Sequence, residues 1–251
     1  FETSIKSIKF PSHLKKIGEF SFKYCYYLEF VDFEQNSELQ LIEKNAFSNT
    51  NVKCFTIPTK NFKLEEGWCF YMPRLTNIKL LPNNDNFTKY GKFLILRKSD
   101  PKSDIFDVVV FALRNIQHAI IPPFIRIIGP HAFNACKHLH CLIFKGDSKL
   151  QSIEKSAFSH TKIKKVTFPP HLTKICDAAF YGCKRLRLVE FANNSELKII
   201  GKEAFSYTPI EKVTFPYHLT TIGQSSFYEC KKLNCIEFDP NSELSVIEKF
   251  A

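Results

Sequence analysis

The chain has 251 residues, of which 44% are hydrophobic, so it is long enough to bury a sizeable core. It contains no run of 18 apolar residues, which excludes a membrane-spanning helix and predicts no membrane contact by this stretch itself. The net charge of +10 admits a polyanionic partner, but a solvated lysine-rich surface, which solubility alone favours, is the simpler interpretation.

The chain is organised as a repeat. A V-x-F motif, an L-x-x-I motif and a phenylalanine five residues later recur every 23 or 24 residues, with one longer step of 41 residues. The ten V-x-F motifs begin at Ile8, Val31, Phe55, Ile78, Ala119, Leu142, Val166, Val189, Val213 and Ile236. Alternate units differ, because one type follows its motif with proline and closes with F-x-x-C, whereas the other has a polar N-S-E-L turn and closes with A-F-S-x-T.

Each unit is interpreted as one coil of a solenoid. The V-x-F alternation places two apolar side chains on the inner face of a short strand, and successive strands should form a parallel sheet on the concave side. Proline directly after the strand ends it, because proline has no N–H for the ladder. The A-F-x-x-C segment has helical spacing over a single turn, which predicts short helical or 3₁₀ turns on the convex side and a stacked phenylalanine spine. The predicted fold class is an α/β repeat solenoid in which residues 1–251 form a single array.

The pattern fails between residues 83 and 115, which predicts an irregular repeat. Strand-like runs at Lys92–Arg97 and Ile105–Phe111 flank a turn-rich loop, so we expect a β-hairpin insertion. The hairpin is either a protrusion that contacts a ligand or an irregular coil that plugs or bends the solenoid. Phe1 opens in the middle of the pattern and Ala251 ends where another motif should continue, so we expect a longer native protein with any signal or anchor outside this stretch.

The repeat resembles the BspA-like leucine-rich repeat proteins, whose units read L-x-x-L-x-L/I-P and then x-x-L-x-x-I-G-x-x-A-F-x-x-C. The resemblance covers nearly the whole chain and fails only near Pro82–Asn115. It implies a right-handed leucine-rich repeat superhelix and a cell-surface protein that adheres to host proteins, host cells or other microbes. Because a fold does not determine a function, these implications are expectations.

No constellation of residues indicates catalysis, a metal or a cofactor. The histidines His13, His171 and His218 share one position of the repeat, and His171 and His218 lie two coils apart, about 10 Å, which is too far for one zinc ion. The F-x-x-C cysteines are separated by the same distance, which exceeds the disulfide limit, so we expect small buried residues at Cys25, Cys136, Cys183 and Cys230. Nine cysteines without an evident pairing keep a reduced cytoplasmic location open as an alternative.

The remaining candidates for function lie on the surface. If the V and F positions point inward, the neighbouring positions face outward on the concave side, where an apolar cluster often marks a partner site. The predicted concave-face binding residues are Phe30, His118, Ile120, Cys141, Ile143, Lys165, Leu188, Glu190 and Lys212. The alternative to a binding patch is that the hairpin covers the cluster, or that β-branched residues are simply favoured on a strand.

A second predicted surface is a basic rim that would bind a sulfated glycan or another acidic surface, although a solvated loop edge is the simpler interpretation. Its residues are Lys137, Lys184, Arg185, Lys231 and Lys232. Nucleic acid is disfavoured, because the aromatic residues recur at positions that face the core. Glycosylation sequons at Asn86 and Asn193 mildly favour a secreted context.

We therefore predict a non-catalytic protein-binding module, most simply a cell-surface adhesin. The alternatives are an intracellular protein-interaction scaffold and a binder of sulfated polysaccharide through the basic rim.

Overall fold

The structure is a computed structural model that describes residues 3–58, 63–82 and 84–251. Residues 1, 2, 59–62 and 83, the last of which begins the predicted irregular repeat, lie outside the described residues. The chain divides into two compact units, Phe1–Phe106 with Phe111–Asn115 and Asp107–Val110 with Ile116–Ala251. The single continuous array over 1–251 stays a prediction.

The first unit alternates four-residue and two-residue strands. They are β1 (Ser7–Phe10), β2 (Lys16–Ile17), β3 (Phe30–Phe33), β4 (Leu41–Ile42), β5 (Cys54–Ile57), β6 (Lys63–Leu64) and β7 (Asn77–Leu80). The long strands pair in parallel in the order β1-β3-β5-β7, and the short strands in the order β2-β4-β6. This is the parallel sheet that the V-x-F repeat predicts.

The insertion in the first unit contains antiparallel strands. β8 (Phe87–Tyr90) pairs with β9 (Leu94–Arg97), and the Leu113 N–H, directly after β10 (Val108–Ala112), donates to the Phe93 carbonyl at 2.8 Å. β9 and β10 correspond to the two strand-like runs of the sequence, whereas β8 was not predicted. The role of the insertion as a protrusion that contacts a ligand stays a prediction.

The second unit repeats the alternation of long and short strands. They are β11 (His118–Ile121), β12 (Ile127–Ile128), β13 (Cys141–Phe144), β14 (Ser152–Ile153), β15 (Lys165–Phe168), β16 (Lys174–Ile175), β17 (Leu188–Phe191), β18 (Ile199–Ile200), β19 (Lys212–Phe215), β20 (Thr221–Ile222), β21 (Cys235–Phe238) and β22 (Val246–Ile247). The short strands β12 to β22 form one parallel ladder, whereas the long strands form two separate sheets, β11-β13 and β15-β17-β19-β21.

The predicted helical or 3₁₀ turns, and with them the α/β class, are wrong, because the described residues contain no helix of either kind. The A-F-x-x-C segment shows the reason. The N–H groups of Ala178, Phe180 and Gly182 donate to carbonyls of the next coil at 2.7–2.9 Å, whereas the alternate N–H groups of Tyr181 and Cys183 close i−3 turns. Since every second N–H bonds to a neighbouring coil, no run of intrahelical bonds can form, and the fold is an all-β solenoid.

The core follows the predicted alternation. In β15, Val166 and Phe168 are buried while Lys165 and Thr167 face outward. Behind the strands, five phenylalanine rings of successive coils stack with centroids 4.8–5.4 Å apart, close to the roughly 4.8 Å between paired strands. These rings belong to Phe133, Phe158, Phe180, Phe205 and Phe227. The predicted phenylalanine spine is therefore present in the second unit.

Candidate functional site

One predicted concave-face residue, Phe30, lies in the first unit. It begins β3, where the register places it beside Ser7 of β1 and Cys54 of β5, and its side chain is 48% exposed. Its two register neighbours are small, so Phe30 is a single exposed ring on this part of the strand face.

The other predicted residues lie on the strand face of the second unit, where two isoleucines form an exposed apolar pair. Ile120 of β11 and Ile143 of β13 are register partners, and their side chains are 49% and 47% exposed. Two residues earlier in the same two strands, His118 is paired with the half-buried Cys141. These four predicted residues are brought together by the β11–β13 pairing.

Leu188 is separated from this pair. It is also exposed, but its register partners are Lys165 of β15 and Lys212 of β19. The structure therefore places β15, with Lys165 and Thr167 facing outward, between Leu188 and the Ile120–Ile143 pair.

The predicted charged residues of the strand face form ion pairs with the neighbouring strand. The Lys165 ammonium and the Thr167 hydroxyl donate to the Glu190 carboxylate at 2.9 and 2.8 Å. Both hydrogen bonds lower the pKa of Glu190, and the one from Lys165 has the larger effect. The same arrangement recurs two coils later in Lys212, Thr214 and Glu237. A ligand on these strands must replace contacts that already exist.

Pairing between the long strands alternates in extent. Five pairings are aligned over four residues each, whereas β3–β5 is aligned over two and β17–β19 over one. In the extended pairings, the residue after the second strand can donate to the last carbonyl of the first strand, as Lys145 does to Ile121 at 3.2 Å. In the short pairings that position is Pro58 or Pro216, which has no N–H to donate. Proline therefore accounts for the weaker junctions.

The ladder breaks between β13 and β15, which lie next to each other but belong to separate sheets. Pro169 follows β15, so the Phe144 carbonyl loses the donor that the other type of coil supplies. Because alternate residues of a strand direct their backbone groups to opposite sides, Phe144 of β13 and Thr167 of β15 turn theirs toward the gap. A cavity of about 530 Å³ opens here, and its lining includes Ile143, Phe144, Phe168, Pro169, Lys145 and Lys164. We refer to this cavity as the strand cleft.

The predicted basic rim lies on the turns that precede alternate long strands, and all five of its residues are exposed. Lys231 contacts Glu229 at 2.9 Å. Lys184 and Lys137 lie close enough to His160 that, after burial, their charges lower the pKa of its imidazole. Alternate coils therefore bring the rim residues to one side of the second unit.

Beside the rim lies a ladder of aromatic rings that sequence analysis missed. His160, Tyr181, Tyr207 and Tyr228 make successive edge-to-face contacts with centroids 5.5, 5.3 and 5.7 Å apart. We call these four residues the aromatic ladder. Gly182 makes room for its first member, because a Cβ there would lie 2.9 Å from the His160 Nδ1. The signal in the sequence is an aromatic residue that follows a core phenylalanine by one or two positions. The core phenylalanines concerned are Phe158, Phe180, Phe205 and Phe227.

The cysteines of the F-x-x-C position are buried, as predicted. The Cys183 thiol donates to the Phe158 carbonyl at 3.2 Å, and burial raises its pKa to about 11. All nine cysteines lie in the described residues, and no disulfide joins any of them there.

Two of the three histidines of the P-x-H-L position contact carboxylates of the next coil. The His171 and His218 Nδ1 atoms lie 2.9 and 3.2 Å from Glu196 and Glu243. Within residues 3–58, 63–82 and 84–251, no three His, Cys, Asp or Glu side chains are grouped to hold a metal ion. The same residues include no helix with the length and hydrophobicity of a membrane span.

Solved structures show the same fold. The pneumococcal vaccine antigen PcpA aligns with 97% of this chain at a TM-score of 0.79 and 22% identity, and the alignment covers 59% of PcpA. A leucine-rich repeat protein from Eubacterium ventriosum aligns over 97% of this chain and 72% of its own, with a TM-score of 0.74 and 16% identity. A leucine-rich cell surface protein from Faecalibacterium prausnitzii A2-165 aligns over 96% and 64%, with a TM-score of 0.65 and 21% identity. At these identities the likeness concerns the fold alone.

The comparison of sequences gives the family. No curated protein sequence matches the chain. A family model described as the BspA type leucine-rich repeat region matches in six copies over residues 1–95 and 105–234. The chain belongs to the BspA-type leucine-rich repeat family.

Proposed function

We propose that this chain is a non-catalytic, protein-binding part of a cell-surface protein that attaches to a component of a host or microbial surface. Leucine-rich repeat proteins are generally binding modules without enzymatic activity. One protein of the same fold, from Faecalibacterium prausnitzii, is described as a cell surface protein. The observation that carries the proposal is the exposed Ile120–Ile143 pair beside the strand cleft.

The chemistry of this face favours an extended segment of a partner protein. Ile143 belongs both to the exposed pair and to the lining of the cleft, so one apolar surface continues from the strands into the cavity. The Phe144 carbonyl at the cleft, to which Pro169 offers no N–H, can accept a hydrogen bond from the backbone of the partner. Lys145 and Lys164 at the same cleft favour a carboxylate beside the apolar side chain of the partner.

The test is binding of the fluorescently labelled chain to intact epithelial cells and bacterial cells, measured by flow cytometry. Ile143→Asp places a charge in the centre of the apolar surface and should reduce binding about tenfold or more. Ile199→Asp is the matched control, because Ile199 is 37% exposed on the short strand β18, outside the proposed site. Unchanged binding by a folded Ile143→Asp variant, or an equal loss in the control, would contradict the proposal.

The location at the cell surface can be tested separately from binding. Protease added to intact cells that produce the native protein should degrade this chain if it is exposed outside the cell. Protection until the cells are lysed would favour the alternative of a cytoplasmic scaffold. Asn193 is exposed in the turn after β17, where a glycan could be attached in a secreted protein, and a mass shift removed by glycosidase would support the same location.

A further inference from the structure

The aromatic ladder and the basic rim together form a second surface of the second unit, and its chemistry differs from that of the strand face. The Tyr207 and Tyr228 side chains are 43% and 46% exposed, although each contacts its neighbour in the ladder. The backbone holds the rungs in place, since the Tyr207 N–H donates to the Tyr228 carbonyl at 2.9 Å. Exposed tyrosines combine a large apolar face with a hydroxyl group, which suits a partner that is itself part apolar and part polar.

Cationic side chains flank the ladder at regular intervals. The basic turns Lys184–Arg185 and Lys231–Lys232 belong to coils two apart, which corresponds to roughly 10 Å. The carboxylates near Tyr207, those of Glu203 and Glu229, are each within 3.7 Å of a lysine ammonium. The rim therefore keeps a net positive charge after its ion pair with Glu229 is counted.

The geometry points to a linear partner with a repeating structure. One ring per coil, at 5.3–5.7 Å, presents similar contacts at regular steps along a line. The edge-to-face packing, with interplanar angles of 64–77°, leaves no gap into which a nucleic acid base could stack. The C–H face of a sugar ring can instead pack over an exposed tyrosine, while an acidic group on the sugar pairs with the adjacent lysine or arginine.

We propose that the aromatic ladder and the basic rim bind a linear polysaccharide that carries sulfate or carboxylate groups. This inference does not depend on the strand cleft or on the proposed protein partner. The tyrosines supply stacking surfaces for the sugar rings, and the basic turns supply the attraction to the charged groups.

The experiment measures binding of the folded chain to immobilised heparin, with polyglutamate and neutral dextran as comparison polymers, at low and physiological salt. Heparin should bind with saturation and more tightly than either other polymer, and the affinity should fall as salt rises. Equal binding to polyglutamate would show that charge alone acts, and absence of saturable heparin binding would also overturn the proposal.

Variants separate the two parts of the site. Tyr207→Ala with Tyr228→Ala should weaken heparin binding about tenfold, whereas the matching changes to phenylalanine should retain it. Tyr217→Ala is the control, because Tyr217 is 39% exposed but makes its edge-to-face contact with His218, outside the ladder. Unchanged binding by the alanine double variant would exclude a role for the ladder.

Charge reversal tests the rim in the same way. Lys184→Glu with Arg185→Glu should weaken heparin binding about tenfold or more and reduce its salt dependence. Lys174→Glu with Lys198→Glu is the matched control, since both lysines are exposed in the region of the short strands. An equal effect of the two pairs would show that net charge rather than the rim is recognised.

Discussion

Replacing Pro169 by alanine should restore the missing pairing between β13 and β15. The alanine N–H could donate to the Phe144 carbonyl, as the Ala192 N–H donates to Phe168 at 3.3 Å in the next coil. The strand cleft should then narrow, because the two strands would be held at the distance of a paired ladder.

Two opposing terms determine the effect of Pro169→Ala on stability. One new backbone hydrogen bond contributes about 0.5–1.5 kcal/mol net. Loss of proline frees the unfolded chain, which costs about 0.4–1 kcal/mol. The free energy of unfolding should therefore change by less than about 1 kcal/mol, while the local structure changes clearly.

Amide hydrogen exchange reports the local change. The new amide at position 169 and the Thr167 amide should exchange slowly in the variant, because both would lie within a paired ladder. Pro170→Ala is the matched control, since Pro170 also lines the cleft but directs its backbone to the other side, so an N–H there cannot restore the pairing.

Rapid exchange at position 169 in a folded Pro169→Ala variant would refute the assignment of the interruption to proline. If the amide is protected, the same variant should also bind cells more weakly than the Pro170→Ala variant in the flow cytometry assay.

The remaining predictions concern stability, reactivity and pH. Gly223→Ala should lower stability by about 1–3 kcal/mol in thermal unfolding, because a Cβ there would lie 2.7 Å from the backbone of the preceding coil. Gly146→Ala is the control and should leave stability unchanged, because the space around Gly146 is open. Cys183 should resist iodoacetamide at pH 8 until the chain unfolds, because burial raises its pKa to about 11. The half-buried Cys141 should react in the native state, and equal reaction rates of the two thiols would contradict the burial of Cys183. Because the pKa of Glu190 is lowered in the folded chain, its ionised carboxylate stabilises the fold at pH values above the ordinary carboxyl pKa. This contribution is lost as the pH falls through the lowered pKa. Glu190→Gln should therefore be slightly less stable at pH 7 and equal to the native chain in strong acid, and a deficit that persists in acid would contradict this cause.

Much of the fold could be predicted from the sequence, because the repeat imposes the same packing on every coil. The V-x-F alternation predicted that Val166 and Phe168 point inward. The recurrence of phenylalanine predicted the stacked spine, and its spacing excluded a shared disulfide between Cys136 and Cys183. These features depend on period and polarity, which a linear sequence records directly.

The turns, the cleft and the ladder depend on contacts between coils. Whether the Phe180 N–H bonds within its own turn or to the next coil cannot be read from A-F-x-x-C spacing, and the bond to the next coil makes the turn non-helical. Leu188 and Cys141 occupy the same row in the sequence, but the intervening Lys165 and the interrupted pairing separate them in the structure.

Tyr181 and Tyr207 are 26 residues apart and differ in their distance from the core phenylalanine, so no fixed spacing marks them as neighbours. The sequence by itself determined the repeat, the core and the family. Tertiary structure alone decided which surface residues meet, because the register between coils rather than the period within them brings those side chains together.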